Sequence, residues 1–178
     1  MLQTPRLRIR QVRPKDADAL HACRAASLEF VGNPPRTIEE TRQMVAEMAA
    51  EVPGAQPGWA QFVIHDMDGA LVGDIGVNFG GPGQQQAEIG YTLRAEMRGK
   101  GLGREAVAAL VGYLFDEHRL HRLVAITGLE NGPSRRLLEA IGFRQEGVTL
   151  ESYWHHARQC FIDEAVYALL AREWRARG

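Results

Sequence analysis

Cysteine is nearly absent: Cys23 and Cys160 are the only two in 178 residues, far apart and with no motif around either. That argues against a disulfide framework and fits a reducing, cytoplasmic setting. An excess of one charge is lacking too. Lys and Arg number 21 against 22 Asp and Glu, a formal net charge of −1 with no long like-charge block, which disfavours a general nucleic-acid binder. No apolar run approaches the roughly 20 residues of a membrane span, and the N-terminus enters charged, strand-like sequence without an apolar leader. The chain shows no internal repeat, low-complexity tract or linker. The remaining composition, 45% hydrophobic and 24% charged, is that of an ordinary globular protein, and residues 1–178 suffice for one domain with a sizeable core.

Leu7, Ile9 and Val12, with arginines between them, predict a first strand stopped by Pro14; Arg6, Arg8, Arg10 and Arg13 read as its wet face. Residues from about Lys15 to Leu28 place Ala17, Leu20 and Cys23 at helical spacing, and Gly32-Asn33-Pro34-Pro35 signals a loop. Thr37 and Glu40 form a capping box ahead of a second helix through Met44, Val45, Met48 and Ala49, ended between Pro53 and Gly58. Strands then follow at Trp59–Met67, Leu71–Phe79 and Ala87–Arg94, joined by Asp68-Gly69 and by Gly80–Gln86 as in an antiparallel meander. Leu102 to His118 carries a broad helical stripe of Ala106, Val107, Leu110, Val111, Leu114 and Phe115. A strand at Leu123–Thr127, a helix at Ser134–Ile141 stopped by Gly142, and strands at Phe143–Tyr153 and Cys160–Leu170 complete a mixed α+β order.

The most telling stretch is Arg98-Gly99-Lys100-Gly101-Leu102-Gly103, between a strand and the long helix. Alternate glycines bare the backbone so that its N–H groups can converge on an anion, and the helix points its partially positive N-terminus at the same place. Arg98 and Lys100 add positive charge and, through the guanidinium, a fork for phosphate oxygens. The loop is suited to a pyrophosphate. Gly101-Leu102-Gly103-Arg104-Glu105-Ala106 matches the dinucleotide fingerprint in form, but the strands before it read as antiparallel and residues 95–98 separate strand from glycines. A P-loop is excluded, since neither Ser nor Thr follows Gly99-Lys100.

Four motifs stand in order: Ala87-Glu88-Ile89-Gly90-Tyr91-Thr92-Leu93, then Arg98-x-x-Gly101-x-Gly103, then Asn131-Gly132-Pro133-Ser134, then Gly142-Phe143. Together they resemble the GNAT superfamily of acyl-CoA-dependent N-acyltransferases. The opening Thr4 to Arg10 and the ending Asp163 to Trp174 are similar to the branch that acetylates ribosomal-protein N-termini, so the resemblance spans nearly the whole chain.

That resemblance implies a central, mostly antiparallel mixed sheet of about seven strands flanked by about four helices, with a splayed parallel strand pair holding acetyl-CoA. The backbone of residues 99 to 104 (Gly99, Lys100, Gly101, Leu102, Gly103, Arg104), with Arg98, would bind its pyrophosphate. Tyr91, Thr92 and Leu93 would pair through backbone with the pantetheine arm, their side chains reading equally as core, and Asn131 would reach the same arm or simply make a turn. The implied reaction moves an acetyl group from the thioester to an amine, of a protein N-terminus or a small molecule. Glu88 is the candidate base, reading equally as a plain strand carboxylate, with Glu151 a weaker one. Many members carry a tyrosine five residues before the Phe of Gly-Phe, as leaving-group acid; here that place is Leu138. Ser134 takes its place as the thiol-side donor, or serves only as a first-turn residue. A homodimer is compatible with the apolar tail. The rival function is a module that binds acyl-CoA without chemistry.

His155-His156 and His118 with His121 do not read as metal sites, because neighbours on a strand face opposite ways and no Cys, Asp or Glu stands at ligand spacing. His155 or His156, with Tyr153 and Trp154, is expected at the acceptor pocket. Trp59, Tyr167, Leu169 and Leu170 are expected in the core or an interface.

Overall fold

The computed structural model describes residues 1–28 and 34–177. Gly32 and Asn33 of the expected loop lie outside them. Strands β1 (Leu2–Gln3) and β2 (Leu7–Gln11) lead into helices α1 (Ala17–Ala25) and α2 (Ile38–Ala50). A meander follows, β3 (Gly58–Asp66), β4 (Leu71–Gly80) and β5 (Gln86–Leu93), then α3 (Leu102–Asp116), β6 (Arg122–Gly128) and α4 (Gly132–Ile141). The chain closes with β7 (Arg144–His155), β8 (Cys160–Leu170) and α5 (Ala171–Arg175).

The strands form one eight-stranded sheet in the order β1-β2-β3-β4-β5-β6-β8-β7, antiparallel except where β5 meets β6. This is the expected α+β architecture with one more strand and one more helix. The additions are β1 and α5, of two and five residues, too short to carry a hydrophobic period.

Alternation along the strands divides the core in two. Leu7, Ile9, Phe62, Ile75, Val77 and Ile89 bury one face against Val107, Leu110 and Leu114 of α3 and Leu138 of α4. Val63 and Leu71 bury the other against Leu20 and Cys23 of α1 and Val45 of α2. Helix α2 starts where its capping box says: Thr37 Oγ1 accepts from Glu40 N at 3.1 Å and Glu40 Oε2 accepts from Thr37 N at 2.8 Å.

Two expectations need correction. Arg6, Arg8 and Arg13 are exposed as expected, but Arg10 is not: it donates twice to Asp16, at 2.7 and 2.8 Å, and both are mostly buried. Burial pushes the Asp16 carboxyl up, but hydrogen bonds from Arg10 and from the Arg13 N–H outweigh it and leave the group below the usual range. Trp59 is not core. It is 45% exposed and its ring lies over Gly76, a glycine on the adjacent strand whose missing side chain makes room for it.

Candidate active site

Strands β5 and β6 pair in parallel at Gln86↔Arg122, Ala87↔Leu123 and Glu88↔Val124, and there the pairing ends. Yet β5 continues to Leu93 and β6 to Gly128. Beyond Glu88 each strand keeps its outer partner, β4 or β8, and turns an inner edge of unmatched backbone groups to the gap. A cleft of about 1400 Å³ opens along this split, reaching from the glycine loop past Glu88 to the underside of α1 and α2.

At one end lies the loop. Gly99 (φ +72°) and Gly101 (φ +76°) hold left-handed backbone that side chains rarely adopt. Gly101 caps α3 without any side-chain acceptor, so the first N–H groups of the helix remain available to an anion. Gly103 is needed for a different reason: a Cβ there would sit 2.6 Å from Leu93 Cδ1. A side chain here would have to displace the tips of Leu93 and Leu137, so the glycine lets the helix pack closely on β5.

The expected phosphate fork of Arg98 is corrected by its geometry. Its Nε donates to the Leu93 carbonyl at 3.0 Å and its NH2 to Ser27 Oγ at 2.8 Å, tying the loop to the chain just after α1. Arg98 still borders the cleft, as do Arg104 and Arg136. A residue missed in the sequence braces the loop from outside. Arg6 NH1 donates to the Lys100 carbonyl at 3.0 Å, while its Nε donates to Glu105 Oε2 at 2.7 Å. Lys100 itself is exposed.

In the middle of the cleft Tyr91 Oη lies 2.8 Å from Ser134 Oγ. Ser134 N donates to Asn131 Oδ1 at 3.2 Å, which makes Asn131 the N-cap of α4 and Ser134 a first-turn residue. Capping therefore coexists with a cleft position for both. Burial pushes the Tyr91 phenol up to about 12, against the lowering effect of the Ser134 hydrogen bond. Thr92 and Leu93 also border the cleft, and Leu138 is buried in the core beneath it.

Glu88 stands where the split begins, half-buried. Its carboxyl is raised above the ordinary glutamate range by burial and then by the negative charge of Glu164 on β8. Glu164 Oε2 accepts from Ser152 Oγ at 2.9 Å. Glu151 borders the same region from an irregular stretch of β7, with φ +46° and its N–H bonded to Asp163 Oδ1 at 2.7 Å. Tyr153 and His155 line the cleft as expected. Trp154 instead stacks edge-on against Phe161 at 5.1 Å between ring centroids, and His156 does not line the cleft. The arrangement offers an anion cradle, an unmatched strand edge and a carboxylate with raised proton affinity along one continuous channel.

Comparison with known proteins agrees with this geometry. The acetyltransferase (GNAT) domain model matches residues 6–144. The chain is 31% identical to the uncharacterized N-acetyltransferase p20 of Bacillus licheniformis, over 97% of each chain. Among solved structures, a GNAT-family acetyltransferase from Bacillus anthracis superposes with a TM-score of 0.81 at 31% identity, over 97% of this chain and 99% of that one. RimJ of Mycobacterium smegmatis, in complex with CoA-disulfide, superposes with a TM-score of 0.80 at 26% identity, over 94% of this chain and 83% of its own.

Proposed function

The chain belongs to the GNAT acetyltransferase family, and on that footing we propose that it transfers an acetyl group from acetyl-CoA directly to a primary amine. The observation that carries this reading is the end of parallel pairing at Glu88, with the glycine loop at the far end of the same split. A pyrophosphate fits the loop's bare N–H groups, and a chain bearing amides fits the unmatched inner edge of β5. Acetyl-CoA supplies a thioester, whose carbon the amine nitrogen attacks and whose sulfur leaves as thiolate.

In this reading each side chain has a bounded task. Glu88, its proton affinity raised by burial and by Glu164, takes the amine's surplus proton through water. An α-amine, with a pKa of about 7.7–8.0, needs little such help; a lysine amine, near about 10.4, needs more. Ser134 donates a hydrogen bond to the departing thiolate. Tyr91, with its phenol up at about 12, keeps its proton and serves by orienting Ser134 rather than as a free acid.

The direct test is thiol release from acetyl-CoA with a panel of peptides and small amines, beside calorimetric binding of acetyl-CoA. Amine-dependent thiol release with a matching acetylated product supports the proposal. Binding without turnover of any amine would instead leave a cofactor-binding protein.

A further inference from the structure

The sheet face beneath α1 and α2 carries three cross-strand rows. Trp59, Asn78 and Glu88 form the first, Gln61, Gly76 and Gly90 the second, and Val63, Asp74 and Thr92 the third. Glycine occupies the middle row on both β4 and β5; the Trp59 ring lies over Gly76, and the face is bare at Gly90. A methyl placed on Gly90 would meet nothing within 4 Å. The first and third rows are four residues apart along the strand, about 13 Å. The trough between them belongs to the cleft already described, whose lining here includes His21 and Arg24 of α1 and Met44 of α2.

At the Asp74 end three side chains from distant parts of the sequence meet. Arg24 NH2 donates to Gln61 Oε1 at 2.7 Å and to Asp74 Oδ2 at 2.8 Å, and Gln61 Nε2 donates to that same Asp74 oxygen at 2.7 Å. Asp74 is 2% exposed and Gln61 3%. The trio is not saturated. Asp74 Oδ1 is buried without a hydrogen-bond partner, Arg24 Nε has none among the described residues, and Arg24 NH1 meets only the weakly accepting Met44 Sδ at 3.7 Å. A buried carboxylate oxygen left unmet is costly, and folded proteins seldom keep one without a use.

We propose that Arg24, Gln61 and Asp74 form the recognition subsite for the acceptor, and that they take an uncharged amide at the end of the trough away from the reacting amine and reject a second ammonium there. The inference rests on the acetyl-transfer reading above. An amide or peptide unit presents an N–H for Asp74 Oδ1 and a carbonyl for Arg24 in one rigid group, matching one unmet acceptor with one unmet donor. A second ammonium finds no net charge to bind. Asp74 is already paired with Arg24, and the cation would face that guanidinium. The reacting amine belongs at the opposite end, beside Glu88, Glu164 and the exposed face of Trp59. Acceptors of this class are peptidyl α-amines and aminoacyl amides rather than polyamines.

The test is kcat/KM of the intact protein, read by thiol release, for three acceptors of similar length: a dipeptide amide, a simple alkylamine and a linear diamine. With each value corrected to the unprotonated amine, since α-amines titrate below alkylamines, the dipeptide amide is expected to exceed the other two by at least about tenfold, as when a built hydrogen-bonding site meets an analogue lacking the group. Arg24→Gln removes the balancing charge and is expected to move the diamine-to-amide ratio about tenfold toward the diamine. Calorimetric binding of acetyl-CoA serves as its folding control. Gln61→Glu, of nearly the same shape, adds a negative charge at the same spot and is expected to shift the ratio the same way if the arginine variant does not fold. Equal use of all three acceptors by the unmodified protein, or an unmoved ratio in folded variants, overturns the subsite while leaving acetyl transfer standing. No thiol release with any amine overturns the acetyl-transfer reading and the subsite with it.

Discussion

Tyr91 and Ser134 join β5 to α4 across the cleft through a 2.8 Å contact between phenol and hydroxyl, on the stretch where β6 has already parted from β5. Ser134→Ala is expected to leave acetyl-CoA affinity unchanged and to lower kcat about tenfold to hundredfold. Tyr91→Phe is expected to lower it less, and the double variant to match Ser134→Ala alone, because the phenol acts through the hydroxyl. Additive losses in that cycle would separate the two residues.

As the base of the proposed reaction, Glu88 is expected to set the acid limb of the pH profile. A base works ionised, and a raised pKa means that activity is lost, as pH falls, earlier than for an ordinary glutamate. Glu88→Gln is expected to lower kcat/KM and to abolish this limb. Glu164→Gln removes a repelling charge and is expected to shift the limb to lower pH. The sign for stability runs the other way: with its folded pKa above the unfolded value, Glu88 weakens the fold as pH rises through the folded pKa. Glu88→Gln is therefore expected to melt slightly higher near neutrality, and the difference to vanish below about pH 4.

Two glycines of the site are expected to fail in different ways. Gly101→Val forces a β-branched residue to φ +76° and is expected to weaken acetyl-CoA binding about tenfold or more by calorimetry. Gly90→Ala meets nothing within 4 Å, so the protein folds with a methyl in the acceptor trough. Its expected signature is a raised KM for the amine with an unchanged dissociation constant for acetyl-CoA.

Arg98 and Lys100 read alike in sequence and are expected to behave oppositely. Arg98→Ala breaks the bonds to the Leu93 carbonyl and Ser27 Oγ and is expected to cost about 1.5–3 kcal/mol in urea unfolding. Lys100→Ala, at an exposed position, is expected to stay within about 0.5 kcal/mol of the unmodified protein.

What could be read in advance was local. The Thr37–Glu40 box, the Asp68-Gly69 turn and the strand Cys160–Leu170 each depend on neighbours in sequence, and the structure has them where expected. The glycine loop belongs with them, since left-handed backbone leaves its mark in residue type. Long side chains were less legible. Arg98 turns inward because a carbonyl five residues back and a serine 71 residues away happen to be within reach. Arg24, Gln61 and Asp74 span 50 residues and three elements, so no window along the chain contains them together. Trp59 looked like core because bulk and aromaticity usually mean burial, but the bare backbone of Gly76 gave it a ledge at the cleft instead.

The parting of β5 from β6 has one more consequence. Open strand edges at a sheet's rim invite other proteins to add on, and natural folds guard against that. Here the two raw edges lie inside the sheet, with β4 and β8 behind them, so a slender amide-bearing molecule can fill the gap as a strand would. Under the proposed function the donor is thus a removable ninth strand as well as a reagent. The sheet is complete only during a catalytic cycle, and each departure of spent coenzyme leaves it unfinished again.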